Sequence, residues 1–115
     1  MTITIYHNPR CSKSRQTLQL IQDKGIEPNV IEYLQCPPNV EELHRIIALL
    51  GVSPRNIIRK NEEDYQTSGA KDLSLNDDQL IKLMVKFPKL IERPIVLANG
   101  KAIIGRPPEN VLTII

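Results

Sequence analysis

Aromatic residues are scarce in this chain: three tyrosines, one phenylalanine and no tryptophan in 115 residues. Base-stacking platforms for single-stranded nucleic acid are built on aromatics, and none of Tyr6, Tyr33, Tyr65 or Phe87 lies within a basic run. Charge of one sign is lacking too. Fifteen Lys and Arg face thirteen Asp and Glu, for a net charge of +2, well short of the dense basic patch of a nucleic-acid binder. No nucleic-acid partner is expected. Cysteine occurs only at Cys11 and Cys36, so the chain is not a disulfide-built secreted domain. No apolar run approaches the ~20 residues of a membrane helix, and no membrane association is expected. The segment Met1–Tyr6 shows neither a basic stretch before an apolar one nor a small-residue cleavage site, which reads as cytoplasmic. In a reducing compartment a cysteine is generally a free thiol.

What is present is a single domain's length of sequence, residues 1–115, punctuated by nine prolines and five glycines. Thr2–Tyr6 alternates and is rich in β-formers, so it reads as a strand. Ser12–Lys24 reads as a helix ended by Gly25, and Asn29–Leu34 as a second strand. This βαβ unit predicts two parallel strands. Asn39 with Glu42 three residues on has capping-box spacing. Leu43, Ile46, Ile47 and Leu50 follow at helical intervals up to Gly51. A short helix is expected from Ser53-Pro54, a polar stretch without period over 61–71, and a further helix opened by Asn76 and carrying Leu80, Leu83, Met84 and Phe87. The period then changes to two. Pro94–Ala98 and Lys101–Gly105 flank Asn99-Gly100, a strong hairpin signal, and Val111–Ile115 reads as a short terminal helix. The order predicts an α/β chain of thioredoxin-like type. Its four-stranded mixed sheet has a helical insertion, about 39–90, between the βαβ and ββα halves.

The chemistry concentrates in His7-Asn-Pro-Arg-Cys11-Ser-Lys-Ser14-Arg15. Cys11 falls where a strand hands over to a helix. Backbone N–H groups and the helix dipole are positive there and stabilise a thiolate; the same loop suits an oxyanion. Arg10, Arg15 and His7 lie close in sequence. The motif is C-x-x-S, so Ser14 cannot resolve a disulfide but can donate a hydrogen bond to the thiolate. Cys36 follows the second parallel strand at the same edge of the sheet. It reads as a semi-buried loop cysteine, with a disulfide to Cys11 as the alternative.

A second constellation comes from counting along the hairpin. With a two-residue loop, Ala98 pairs with Lys101, and continuing outward Arg93 pairs with Arg106. Directly opposed side chains share a face with Cβ atoms about 5 Å apart. Two guanidinium groups there call for an oxyanion or a carboxylate such as Glu92 or Glu109. Each arginine precedes a proline, and a cis bond at Pro94 is a candidate. Arg59-Lys60, read unaided, is a solvated helix end, and His44 an exposed helix residue. His7, Cys11, Cys36 and His44 have no metal-site spacing, so no metal is expected. There is no glycine-rich nucleotide loop, and Thr17 stands where a tyrosine-phosphatase-type loop would have its arginine.

These residues together resemble the glutaredoxin-coupled, ArsC-type arsenate reductase family, and within it a short YfgD-like branch. The matching stretches are Ile5–Arg15, Ile58–Asn61, Asp77–Ile81, Glu92–Val96 and Gly105–Pro107, in order and through nearly the whole chain. The resemblance implies the thioredoxin-like fold with a helical insertion. It implies Cys11 as nucleophile, Arg59, Arg93 and Arg106 as arsenate-binding residues, and His7 as support for the loop and thiolate. It also implies glutathione as co-substrate and glutaredoxin as partner, with no bound cofactor. Two other readings of the same residues are a glutathione-linked monothiol oxidoreductase acting on protein thiols or another oxyanion, and a partner-binding regulator of the related Spx type. The latter typically carry C-x-x-C, which Ser14 removes here.

Overall fold

In the computed structural model, which describes residues 2–115, four strands form one sheet in the order β2-β1-β3-β4. These are β1 (Thr4–His7), β2 (Asn29–Glu32), β3 (Ile95–Ala98) and β4 (Lys101–Ile104). β1 runs parallel to β2 and antiparallel to β3, and β3 is antiparallel to β4. This is the expected mixed sheet. The parallel pair follows from α1 (Ser12–Asp23), since parallel neighbours need a crossover longer than a hairpin turn.

The chain divides into two compact units: the described residues through Cys36 with Arg93–Ile115, and Pro37–Glu92. The first unit has its core on one face of the sheet. Alternation puts Ile3 and Ile5 of the first strand region beside Val96 and Ala98 of β3. Ile21 of α1 and Val111 of the C-terminal segment pack over them, all at most 3% exposed. Burying each such aliphatic side chain is worth roughly 1.5–3 kcal/mol.

The second unit is helical. Asn39 caps α2 (Val40–Leu50) by accepting the Glu42 N–H at 2.8 Å, but Glu42 makes no return bond, so half of the expected capping box forms. Asn76 and Gln79 complete a full one at α4 (Asp77–Lys86). Leu43, Ile46 and Ile47 of α2 and Leu80, Ile81 and Met84 of α4 are buried along the two packed helices. The polar stretch that shows no period holds a short helix, α3 (Glu63–Thr67), with Glu63 and Asp64 in its first turn, where acidic groups complement the helix dipole. Arg55 donates to the carbonyls of Ala70 and Asp72 and ties the following loop down.

Other boundaries differ from the sequence pattern for local reasons. β2 stops at Glu32 rather than at Leu34, because the Glu32 carbonyl accepts the N–H groups of Gln35 and Cys36 and turns the chain. The terminal helix is a 3-10 helix over Pro108–Thr113, begun by the prolines. The hairpin keeps the predicted register: Ala98 opposes Lys101 and Ile95 opposes Ile104. Asn99 and Gly100 both have positive φ, 54° and 72°, as a type I′ turn requires. Beyond β4, the Gly105 N–H donates to the Pro94 carbonyl at 2.9 Å.

Gly105 is needed for space. A Cβ there would collide with the Thr17 hydroxyl and stand 2.9 Å from Pro94 Cγ. Gly105→Ala is therefore expected to cost about 1–3 kcal/mol, as overpacking does. It should appear as a lower denaturant midpoint at unchanged m-value.

Candidate active site

β1 ends at His7, and the turn Asn8–Arg10 delivers Cys11 to the N-cap of α1. Asn8 builds the turn. Its side-chain oxygen accepts the Arg10 N–H and its carbonyl accepts the Cys11 N–H, both at 3.0 Å, the asparagine turn geometry that makes the residue common in such loops. Arg15 reaches back from α1 and donates to the Pro9 carbonyl at 2.9 Å, so it braces the loop.

Cys11 is 8% exposed. Burial pushes its thiol pKa up. The Ser14 N–H, the Arg93 guanidinium by hydrogen bond and by charge, and the Lys13 N–H outweigh burial and hold the pKa below its ordinary value. These are the groups a helix N-terminus and neighbouring cations supply. Arg106 adds a direct contact, with Nη2 3.6 Å from Cys11 Sγ. The Arg106 side chain is aimed by a second bond, Nε donating to the Arg93 carbonyl at 2.8 Å. The two arginines that hairpin counting places opposite each other therefore meet at the thiol. Both Arg-Pro bonds, at Pro94 and Pro107, are cis.

Ser14 takes a different part from the one its spacing suggests. Its hydroxyl does not reach the sulfur. Fully buried, it accepts the Asn8 N–H at 3.0 Å and lies 2.6 Å from His7 Nδ1; only its backbone N–H acts on the thiol. Helix geometry sets these two directions apart. The first-turn N–H groups of α1 point at the N-cap, whereas the Ser14 side chain turns inward to β1. The His7 pKa is lowered, by burial first and by Arg15, with Glu32 opposing, so the ring is neutral at pH 7. Placing the ring proton on Nε2 pairs Nδ1 and the Ser14 hydroxyl, because the Ser14 O–H then donates to Nδ1 while Oγ accepts from Asn8, and it leaves the Nε2–H directed at the adjoining cavity. Ser14→Ala strands both the Asn8 N–H and His7 Nδ1 in the interior. An expected loss of about 1–3 kcal/mol for unpaired buried groups is checked by urea denaturation.

Arg59 lies in the second unit. Its N–H donates to the Leu90 carbonyl at 2.7 Å, and Ile58 pairs with Ile91 as an antiparallel bridge. Its guanidinium is engaged by two carboxylates, Nη1 with Glu92 Oε1 at 2.5 Å and Nε with Glu62 Oε1 at 3.4 Å. Glu92 thus pairs with Arg59. The i,i+3 spacing of Arg59 and Glu62 was a readable signal for one of these pairs; nothing local announced the other. Cys11 and Cys36 are both free thiols, the second exposed. His44 forms a pair with Asp78, 3.1 Å apart. Among the described residues there is no group of three or more potential metal ligands, and no helix long and apolar enough to cross a membrane.

A β-α-β and β-β sheet with one thiol at the first helix N-terminus, faced by arginines from the hairpin, defines a thioredoxin-like protein built around a cysteine of lowered pKa. Its relatives sharpen that class. The ArsC family model matches residues 6–114, and the chain belongs to the ArsC family. It is 51% identical over 114 residues to the uncharacterized protein YfgD of Escherichia coli, an alignment covering 98% of this chain and 96% of that protein. To an arsenate reductase of Escherichia coli it is 49% identical over 113 residues, covering 98% and 80%. Among solved structures, the arsenate reductase from Vibrio cholerae superposes with a TM-score of 0.96 at 52% identity, over 100% of this chain and 98% of that one.

Proposed function

We propose that the protein reduces arsenate to arsenite with glutathione and glutaredoxin, using Cys11 as the nucleophile. The observation that carries this reading is the Arg106 guanidinium held 3.6 Å from Cys11 Sγ by its bond to the Arg93 carbonyl. A thiolate and two planar cations then converge on one point, which suits attack on a tetrahedral oxyanion. The names of the relatives at 46–49% identity agree with it.

The Cys11 thiolate attacks As(V). An S–As bond forms, one As–O bond breaks, and the departing oxygen leaves as water after taking protons. Arg93 and Arg106 offset the oxyanion charge throughout. Arg59 joins them on the family resemblance. Glutathione adds to the arsenic in the same way and a second water leaves. A glutaredoxin thiolate then attacks the glutathione sulfur. The new S–S bond forms as the S–As bond to glutathione breaks, and its electron pair stays on arsenic, which becomes As(III). Water releases arsenite and returns Cys11 as a thiol. The protein's second thiol, Cys36, has no part in this sequence, and no metal or bound cofactor is needed.

The test is arsenate-dependent NADPH oxidation in the presence of glutathione, glutaredoxin and glutathione reductase. Turnover that requires both arsenate and glutaredoxin is the expected result. Absence of arsenate-dependent turnover, with a Cys11 that still alkylates readily, overturns the substrate and leaves the thiol chemistry to another oxyanion or a protein disulfide.

A further inference from the structure

A cavity of about 150 Å³ opens on the β2 side of the Cys11 loop, lined by His7, Asn8, Arg10, Glu32, Leu34 and Gln35, with Pro9 at its edge. The mechanism above uses none of its charged walls. Three observations make it more than a crease. His7 is 94% buried by its 6% exposure, and Nδ1 is spent on Ser14. Nε2 has no hydrogen-bond partner among the described residues, on a ring that lines the cavity. Glu32 stands directly across from His7 in the parallel register of β1 and β2 and acts on it electrostatically. Arg10 brings the opposite charge to the same cavity, yet no ion pair between Arg10 and Glu32 forms within the described residues. The walls thus offer a carboxylate, a guanidinium and an imidazole N–H donor, with the Leu34 and Pro9 side chains as apolar surface.

We infer that this cavity binds an α-amino-acid zwitterion, and that its occupant is the γ-glutamyl end of glutathione. The ammonium pairs with Glu32. The α-carboxylate accepts from Arg10 and from His7 Nε2–H, the charge-assisted geometry that makes such contacts strong. The γ-glutamyl methylenes lie on Leu34 and Pro9, and Gln35 serves the peptide amide. Asn8 joins the cavity to the reacting thiol, for its carbonyl accepts the Cys11 N–H at 3.0 Å. A tripeptide anchored by its amino-acid end is therefore held against the loop that carries Cys11. The choice of glutathione rests on the proposed function; the zwitterion site rests on the cavity.

The experiment is an NMR titration of the isotope-labelled full chain with S-methylglutathione, which cannot form disulfides. Arms with free glutamate and with cysteinylglycine accompany it, each repeated on Glu32→Gln and Arg10→Gln. Both side chains are exposed, and folding is checked from the same spectra. The expected result is shift changes at His7, Asn8, Arg10, Glu32 and Gln35, with affinity about tenfold weaker in either variant, as loss of one charge-assisted bond predicts. Cysteinylglycine should leave these signals unmoved. No shifts at these residues, or equal affinity in the variants, overturns the site. Free glutamate binding as tightly as S-methylglutathione overturns glutathione as the occupant. In the coupled assay, Glu32→Gln should raise KM for glutathione and leave KM for arsenate unchanged. A wild type that binds S-methylglutathione here but shows no arsenate turnover removes the proposed substrate while leaving the site standing.

Discussion

Replacing Cys11 with serine is expected to abolish arsenate-dependent turnover while leaving the fold unchanged. Serine is nearly the same size, so the buried N-cap position remains filled. Its hydroxyl titrates far above neutral pH and no base sits beside it, since the Ser14 hydroxyl and His7 Nδ1 are committed to each other. The thiol is different in kind. The Ser14 and Lys13 N–H groups and Arg93 overcome the effect of burial and lower its pKa, so a larger share is thiolate at pH 7 than in an ordinary cysteine. The sign has a direct consequence. As pH falls, reactivity holds until below the ordinary thiol range and only then declines. Iodoacetamide alkylation against pH, in a Cys36→Ser background so that one thiol reports, should show its inflection displaced to the acid side. An inflection at or above the ordinary value contradicts an activated thiolate, and turnover surviving in Cys11→Ser moves the nucleophile elsewhere.

Arg106→Ala should lower kcat/KM for arsenate by about 10²–10³, the usual cost of removing one donor aimed at developing negative charge. Two losses combine. The oxyanion loses a guanidinium fork, and the thiolate loses the cation 3.6 Å from Sγ. Arg93→Ala should act in the same direction, with its larger share through the thiol, because Arg93 is the cation that most lowers the Cys11 pKa. Arg106→Lys should recover only part of the activity. An ammonium keeps the charge but cannot hold the Arg93 carbonyl through an Nε–H while a second N–H faces the sulfur. Steady-state kinetics on folded variants decide the matter. Unchanged kcat and KM for arsenate in both alanine variants would falsify the arginine site.

Much of this geometry was legible along the chain. Asn99-Gly100 alone carried the hairpin register out to Ile95 and Ile104, and from it the meeting of Arg93 and Arg106. The junction of β1 and α1 announced Cys11 as a helix N-cap, and Asn76 announced the start of α4. Ser14 was half legible. The helix start at Cys11 announced N–H groups at the sulfur, but the direction of the Ser14 hydroxyl depends on how α1 packs on β1, which C-x-x-S does not encode. Glu32 was not legible as a neighbour of His7. Parallel strands are joined through a helix, so no turn fixes their register.

The residues alone determined what depends on neighbours three or four positions apart: caps, turns, the alternating strands, the polarised helix start. Short-range geometry restricts those outcomes to a few, and residue type selects among them. Only the tertiary structure decided the contacts between distant segments. It brings Arg106 to Cys11 across 95 positions and sets Glu32 opposite His7. It also presses Gly105 against Thr17 and gives Arg59 the carboxylate of Glu92. Each depends on strand order, helix packing and the space that side chains leave one another, and those are properties of the packed core rather than of any local run of residues.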